Sequence, residues 1–336
     1  MSLTTRELRD TTGQPRFASV IIPTYNRSQS LQTTLESLLR LDYPTDRLEI
    51  IVVDNCSTDG TKAVVESFQA KSKVPVRYVY ESRPGAHFAR NTGAKLASGD
   101  VLYFTDDDMI ADPGLLRNLV PVFDSYPRVA SATGRILPIW EAAPPAWLLR
   151  HCSSGTLGLQ DRPEDVIVSP DDVGVYSGHQ AVLRDAFIRS GGFNPDVVNG
   201  ETVGDNEFGL NRKIKKLGYR FAYVREALTH HVIPPAKMTQ TYLSNRMAHQ
   251  GSFDCYAWYR GERPGTLRLV MGVAKQLFSL CQAAVQGTAR LVLLRSSWHV
   301  HLAKTHYHLN RVKCYWRLCR DAGWRQHVLK DDWMED

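Results

Sequence analysis

The sequence predicts an α/β protein: a mostly parallel central sheet flanked by helices, with a helical C-terminal extension. Three observations carry that expectation. Short apolar, β-branched runs end in polar turns; helical spacing of apolar residues follows each run; and beyond about residue 240 the strand pattern stops.

The elements follow in chain order. "FASVIIPTYNR" (17–27) is an apolar run ending in Pro and polar residues, which reads as a buried strand. Leu31, Leu35, Leu38 and Leu39 then fall on one helical face, with Ser28 as N-cap. "LEIIVVDNCSTDGT" (48–61) repeats the plan, its helix running through about Ala70. "VRYVYES" (76–82) is a third strand, "ARNTGAKLASG" (89–99) a short helix closed by Gly99, and "DVLYFTDDD" (100–108) a fourth strand. Asp112, ahead of Pro113, caps a helix over 113–124. "VASATGRILPI" and "VGVYSGHQAVLR" predict strands, and "PPAWLLR" between them a loop or short helix. "NEFGLNRKIKKLGYRFAYV" (206–224) predicts a helix, a stop at Gly218 and another strand, and from about Tyr242 the chain is helical.

Strands alternating with helices at this spacing indicate right-handed βαβ units, whose ligands sit beyond the carboxyl ends of the strands. Asp54 and Asp106 to Asp108 fall at such ends. On an extended chain, residues two apart point the same way, so Asp106 and Asp108 can face one hard cation, magnesium or manganese. A solvated acidic turn is the plainer alternative.

The bulk properties are those of a soluble protein. With 336 residues and 43% hydrophobic content, the chain can bury a core as one large domain with an appendage or as two domains. The net charge of +6 is uneven: between Arg260 and Lys330 thirteen Lys/Arg face only Glu262 and Asp321. Such a segment suits an anionic membrane surface, or is a solvated basic face; with no recognisable motif, nucleic acid is not an expected partner. Residues 267–294 form an apolar helix with a narrow polar stripe through Arg268, Lys275, Gln282 and Arg290, suited to a bilayer interface, a helical hairpin or a homo-oligomer contact. Six cysteines without a CxxC pair fit a reducing compartment. The N-terminus lacks a signal-peptide core and no apolar run reaches the ~20 residues of a membrane span. The expected location is the cytoplasm, with peripheral contact to the inner membrane face as an option. His299, His301, His306 and His308 diverge on a helix and do not predict a zinc site.

Five motifs share one register. "VIIPTYNR", "VVDNCSTDGT", "ARNTGAKLASGD", "FTDDDM" and "GDNEFGLNRKIKKLGYRFAYV", followed by "HHVIPPAKMT", together resemble family-two glycosyltransferases of the GT-A fold over roughly residues 18–250. The resemblance implies a Rossmann-like GT-A domain over 17–240, with a nucleotide-sugar half (17–128) and an acceptor half (129–240). A flexible tail (1–16) would precede it and a basic helical region (241–336) follow.

The resemblance also implies an inverting, metal-dependent transfer from a nucleotide-sugar donor to a glycan or lipid-linked saccharide, as in surface polysaccharide or glycoconjugate synthesis. Pro23, Thr24, Tyr25, Asp54, Arg90, Asp106 and Asp107 would contact the donor. Asp106 and Asp108, the outer positions of a DxD motif, would hold a divalent cation with His231, or with the adjacent His230. Asp205 would be the general base. Gly204 stands where relatives carry Glu, so Glu201 and Glu207 remain alternative bases. Trp140, Trp147, His179 and Gln180 would face the acceptor. Two other readings are a sugar-phosphate nucleotidyltransferase, which "PTYNRS" disfavours because it has no glycine, and a catalytically impaired, membrane-associated scaffold.

Overall fold

A computed structural model describes residues 14–152, 154–194, 197–198, 201–202 and 204–334. Most of the expected tail therefore lies outside the described residues. Arg16 does not: it is buried, its Nη2 2.6 Å from Asp124 Oδ1, and its carbonyl accepts from the Tyr43 hydroxyl.

The strands are β1 (Ala18–Thr24), β2 (Leu48–Asp54), β3 (Val76–Tyr80), β4 (Val101–Thr105), β5 (Met109–Ala111), β6 (Val129–Trp140), β7 (Val166–Ser169), β8 (His179–Leu183), β9 (Val197–Val198), β10 (Glu201–Thr202) and β11 (Arg220–Ile233). Among the described residues nine form one sheet, ordered β3-β2-β1-β4-β8-β6-β11-β5, with β7 also on β11. β1 to β4 pair in parallel, because each is joined to the next through a helix. β8 runs antiparallel to both β4 and β6, so the second half of the sheet is mixed. β1, β2 and β4 are buried along their whole length, which explains their unbroken apolar runs.

Around the sheet lie α1 (Ser28–Leu38), α2 (Thr61–Gln69), α3 (Ala86–Leu96), α4 (Leu115–Leu119), α5 (Val122–Ser125), α6 (Ala146–His151), α7 (Arg184–Arg189) and α8 (Asn206–Lys216). Four details differ from the sequence expectation. Ser28 begins α1 rather than capping it, and its N–H donates to Asp59 Oδ2 at 2.9 Å. α3 ends before Gly99; a Cβ there would lie 2.7 Å from the Ser19 backbone nitrogen, so that glycine permits close strand packing. The 113–124 helix is split into α4 and α5 at Pro121, which has no N–H to continue the ladder. The strand expected across "VGVYSGHQAVLR" begins only at His179.

The C-terminal helices are α9 (Gln240–Glu262), α10 (Thr266–Val292), α11 (Trp298–Arg320) and α12 (Ala322–Val328). α11 packs against both α9 and α10, and Cys255, Tyr256, Leu269, Tyr315 and Leu318 build a core separate from that of the sheet.

β6 and β11 approach most closely at Gly134, opposite a register shift between Val224 and Leu228. A Cβ on Gly134 would lie 2.0 Å from the Ala227 carbonyl oxygen. Gly134→Ala is therefore expected to destabilise the fold by roughly 1–3 kcal/mol, read as a lower urea midpoint. An unchanged midpoint would contradict the close approach.

Candidate active site

The acidic turn lies where β4 ends and β5 begins. Its side chains alternate. Asp106 and Asp108 line a cavity of about 730 Å³, whereas Asp107 is buried outside that lining. Asp107 accepts from Thr24 Oγ1 at 2.7 Å and Arg27 Nη1 at 2.9 Å. Its backbone carbonyl accepts from Ser30 Oγ at 2.7 Å and Thr34 Oγ1 at 2.9 Å. This corrects the donor-contact expectation: Asp107 staples the turn to α1. Burial raises its carboxyl pKa to about 6, with Arg27 opposing.

Each outer carboxylate meets a cation. Arg90 of α3 ion-pairs with Asp106 and touches His87 Nδ1 at 3.1 Å. Arg90 is buried and does not line the cavity; its guanidinium is committed to Asp106. Asp108 Oδ2 accepts from Lys237 Nζ at 2.7 Å and Arg27 Nη1 at 3.0 Å. Burial penalises the charged form of Asp108, but the Lys237 ammonium bonded to it outweighs that penalty and holds the carboxyl well below its usual range.

β5 pairs antiparallel with β11, which sets His231 opposite Met109 and beside Asp108. His231 Nε2 is 3.7 Å from Asp108 Oδ2, and His231 lines the cavity while His230 does not. His231 Nδ1 lies 2.8 Å from the Leu157 carbonyl, to which only a protonated nitrogen can donate, so Nε2 carries the lone pair. Lys237 Nζ sits 2.9 Å from that nitrogen. One carboxylate oxygen and one imidazole lone pair thus surround an ammonium. That pair of donors fits a divalent cation whose other positions go to water and phosphate. Among the described residues, no three His, Cys, Asp or Glu side chains could close around a metal by themselves.

Asp54 is buried at the end of β2. Its Oδ1 accepts from the Ser57 N–H and its Oδ2 from the Tyr78 hydroxyl, at 2.8 and 2.7 Å. A carboxylate has about four acceptor positions, so capacity for a ribose or base donor remains. Pro23 is buried in β1, Thr24 is committed to Asp107, and Tyr25 is exposed; with Asp54, none of them lines the 730 Å³ cavity.

Asp205 does not line the cavity either. It stands at the N-terminal boundary of α8, fully buried, with Oδ1 folded over Gly209. Its Oδ2 accepts from Arg212 Nη2 at 2.6 Å and lies 3.3 Å from Arg260 Nε, while Asn194 bonds Oδ1. Arg260 continues to the Val328 and Lys330 carbonyls, both at 2.7 Å. Asp205 therefore ties α8 and α9 to the end of the chain. The acid of this segment that does face the cavity is Glu207, in the first turn of the same helix. Its pKa is raised by burial, and Ser177 Oγ lies 3.4 Å away. Gly204 also lines the cavity and has φ +104°, a conformation that suits glycine. Glu201 belongs to the β9–β10 hairpin, and its side chain lies outside the described residues.

The acceptor expectations are corrected. His179 is fully buried between the Tyr103 hydroxyl (2.8 Å) and the Ala227 carbonyl (2.9 Å), and burial lowers its pKa to about 4. Gln180 donates to Ser131 Oγ and Asn211 Oδ1 inside the sheet. Trp140 and Trp147 pack around Leu148, Leu157, Ile233 and Met238, and Trp147 stacks on His299 at 4.2 Å. The cavity is also lined by Tyr176, Ser177 and Gly178 and by Tyr242, Arg246 and Phe253 of α9. Nothing in the periodicity of α9 marks those residues. Arg27 and Lys237 were within reach of sequence reading, since both sit inside the quoted motifs.

Comparison with known proteins agrees with this architecture. A mannosyltransferase from Pyrobaculum calidifontis, solved with GDP-Man and Mn2+, superposes with a TM-score of 0.58 over 91% of this chain and 88% of that one, at 22% identity. The fold is GT-A. Residues 19–191 match the profile of Glycosyl transferase family 2, and the chain belongs to that family. A glucosyl-dolichyl phosphate glucuronosyltransferase of Haloferax volcanii is 26% identical over 248 residues, 69% of this chain and 74% of that protein. Glycosyltransferase AglE of the same organism is 38% identical over 92 residues, 27% of this chain; the match spans only 30% of AglE.

The two neighbouring acids have opposite expected effects on stability. Asp205→Ala strands buried guanidinium charge and should cost roughly 3 kcal/mol. Glu207 has a raised pKa in the folded state, so its contribution is present at acid pH and lost as pH rises through the folded value. Glu207→Gln should therefore leave the protein at least as stable as the parent at pH 8. Thermal denaturation of both variants checks this, and the reverse order would contradict the burial of Asp205.

Proposed function

We propose that the protein is an inverting glycosyltransferase that moves a sugar from a nucleoside-diphosphate donor to a hydroxyl of a saccharide acceptor. Family membership supports the reaction class, and one observation carries the site assignment: Glu207, Asp106, Asp108 and His231 face a single cavity at the carboxyl edge of the sheet. In this reading Asp108 and His231, which now flank the Lys237 ammonium, would be the residues that hold a divalent cation. When bound, that cation neutralises charge building on the leaving diphosphate.

The remaining work falls to side chains. Arg90 holds Asp106 toward the donor, and Asp107 keeps the turn rigid through Thr24 and Arg27. Asp54 accepts a donor hydroxyl or base N–H at the neighbouring strand end. Lys237, released from Asp108, offers its charge to a phosphate oxygen. Glu207 takes the proton of the acceptor hydroxyl as it attacks the anomeric carbon from the face opposite the diphosphate, so the configuration inverts. Its raised pKa makes it a better base than an ordinary exposed carboxylate. Asp205 is assigned a positioning role, fixing the start of α8.

A thermal-shift panel of nucleotide sugars with manganese, magnesium or chelator tests the donor assignment. The true donor should stabilise by about 2.7 kcal/mol at a hundredfold excess over Kd, and only with a cation. Stabilisation that survives chelator would remove the metal from the reading.

Glu207→Gln should lower kcat by roughly 100- to 10,000-fold while donor affinity is retained. In the parent, kcat/KM should fall as pH drops through a midpoint above the ordinary carboxylate value, because the base must be deprotonated. An unchanged kcat, or a limb unaltered in the variant, would return the role to another residue.

Asp108→Asn should weaken Mn2+ binding at least about tenfold, whereas Lys237→Gln, lacking the competing ammonium, should bind Mn2+ alone more tightly. Calorimetry reads both, and weaker binding by Lys237→Gln would exclude competition.

A further inference from the structure

The longest described helix, α10, has an apolar face that the described residues leave exposed. Leu269, Gln276, Ala283 and Gly287 form its buried side, and α11 packs against the helix. On the opposite side Leu267, Met271, Phe278, Val285 and Val292 repeat at intervals of four and seven residues, and all are exposed: Leu267 by 74%, Phe278 by 71% and Val285 by 70%. Val270, Leu277 and Leu291 widen the same face on one flank and are exposed too. Over 27 residues the stripe runs about 40 Å. An exposed apolar surface of that extent on a folded protein calls for an occupant.

Charge decides which one. From Arg263 to Arg320 the sequence contains ten Lys/Arg and no Asp or Glu. Arg268 and Lys275 are exposed on the other flank of the stripe, Arg295 is exposed just beyond α10, and Lys304, Lys313 and Arg320 are exposed on α11. Two such faces meeting in a dimer would bring like charges together, and the flanking acids Glu262 and Asp321 are already engaged with Arg268 and Arg317, at 3.5 and 4.0 Å. A stripe widened by Val270, Leu277 and Leu291 is also broader than the two-position seam of a coiled coil. A lipid surface with anionic headgroups answers both features, since it takes up the apolar stripe at the acyl boundary and pairs with the cations beside it. Among the described residues no helix is long and apolar enough to cross a membrane, so α10 would lie along the surface.

We propose that α10 is a membrane-surface anchor for anionic lipid. α9 lines the cavity and packs on α11, and α11 packs on α10, so anchor and cavity belong to one helical unit. The proposal stands without the glycosyl-transfer reading, because it uses none of that site's residues.

Co-sedimentation of the full chain with vesicles tests it. Binding to phosphatidylcholine vesicles containing phosphatidylglycerol should exceed binding to pure phosphatidylcholine by at least about tenfold, and should fall at about 0.5 M salt. Phe278→Glu with Val285→Glu, both at exposed positions, should abolish vesicle binding while thermal stability and nucleotide binding stay at parental values. Equal binding to both vesicle types would overturn the lipid-charge claim. A parent that ignores vesicles but sediments as a dimer, and becomes monomeric in the double variant, would assign the stripe to a second copy instead.

Discussion

Three adjacent carboxylates at the end of a buried strand cannot lose water together unless each finds a donor or a cation. The folds of loops far apart in the chain meet that requirement at Asp106 to Asp108. Arg90 comes from α3, Arg27 from the loop before α1, and Lys237 from the segment after β11. Thr24, at the end of β1, adds a neutral donor. The turn is held from several sides, with Arg27 bonding both Asp107 and Asp108, while Asp106 and Asp108 line the cavity.

The same constraint separates two acids near the start of α8. Asp205 has given both oxygens to Asn194, Arg212 and Arg260, which links the sheet domain to the C-terminal helices. Glu207 retains an open carboxylate on the cavity side, at the cost of a raised pKa. A residue that satisfies its own charge inside the protein is poorly placed to accept a substrate proton. This contrast, more than sequence position, supports Glu207 as the base.

Much of the first half of the fold was legible, because β1, β2 and β4 are buried on both faces and read as unbroken apolar runs. The outer aspartates were legible for a geometric reason, the two-residue repeat of extended chain. Burial of His179 and Gln180 was not, since β8 is antiparallel and central while its sequence mixes polar with apolar residues. Their hydrogen bonds to Tyr103, Ala227, Ser131 and Asn211 arise only once the sheet has assembled. Trp140 and Trp147 carried an ambiguous signal, for a flat aromatic face serves a sugar and a packed cluster equally well. The choice between Asp205 and Glu207 depended on Arg260, more than fifty residues away, and no local pattern reports that pairing.

The central claim is that Asp108 and His231 form a cation site which Lys237 occupies until metal and diphosphate arrive. Anomalous diffraction from crystals soaked with Mn2+ and a nucleoside diphosphate measures it directly. A manganese peak at bonding distance from Asp108 and His231, with the Lys237 ammonium moved off both, is the expected result. Diphosphate bound in the cavity with Lys237 still on Asp108, and no manganese between them, would contradict it.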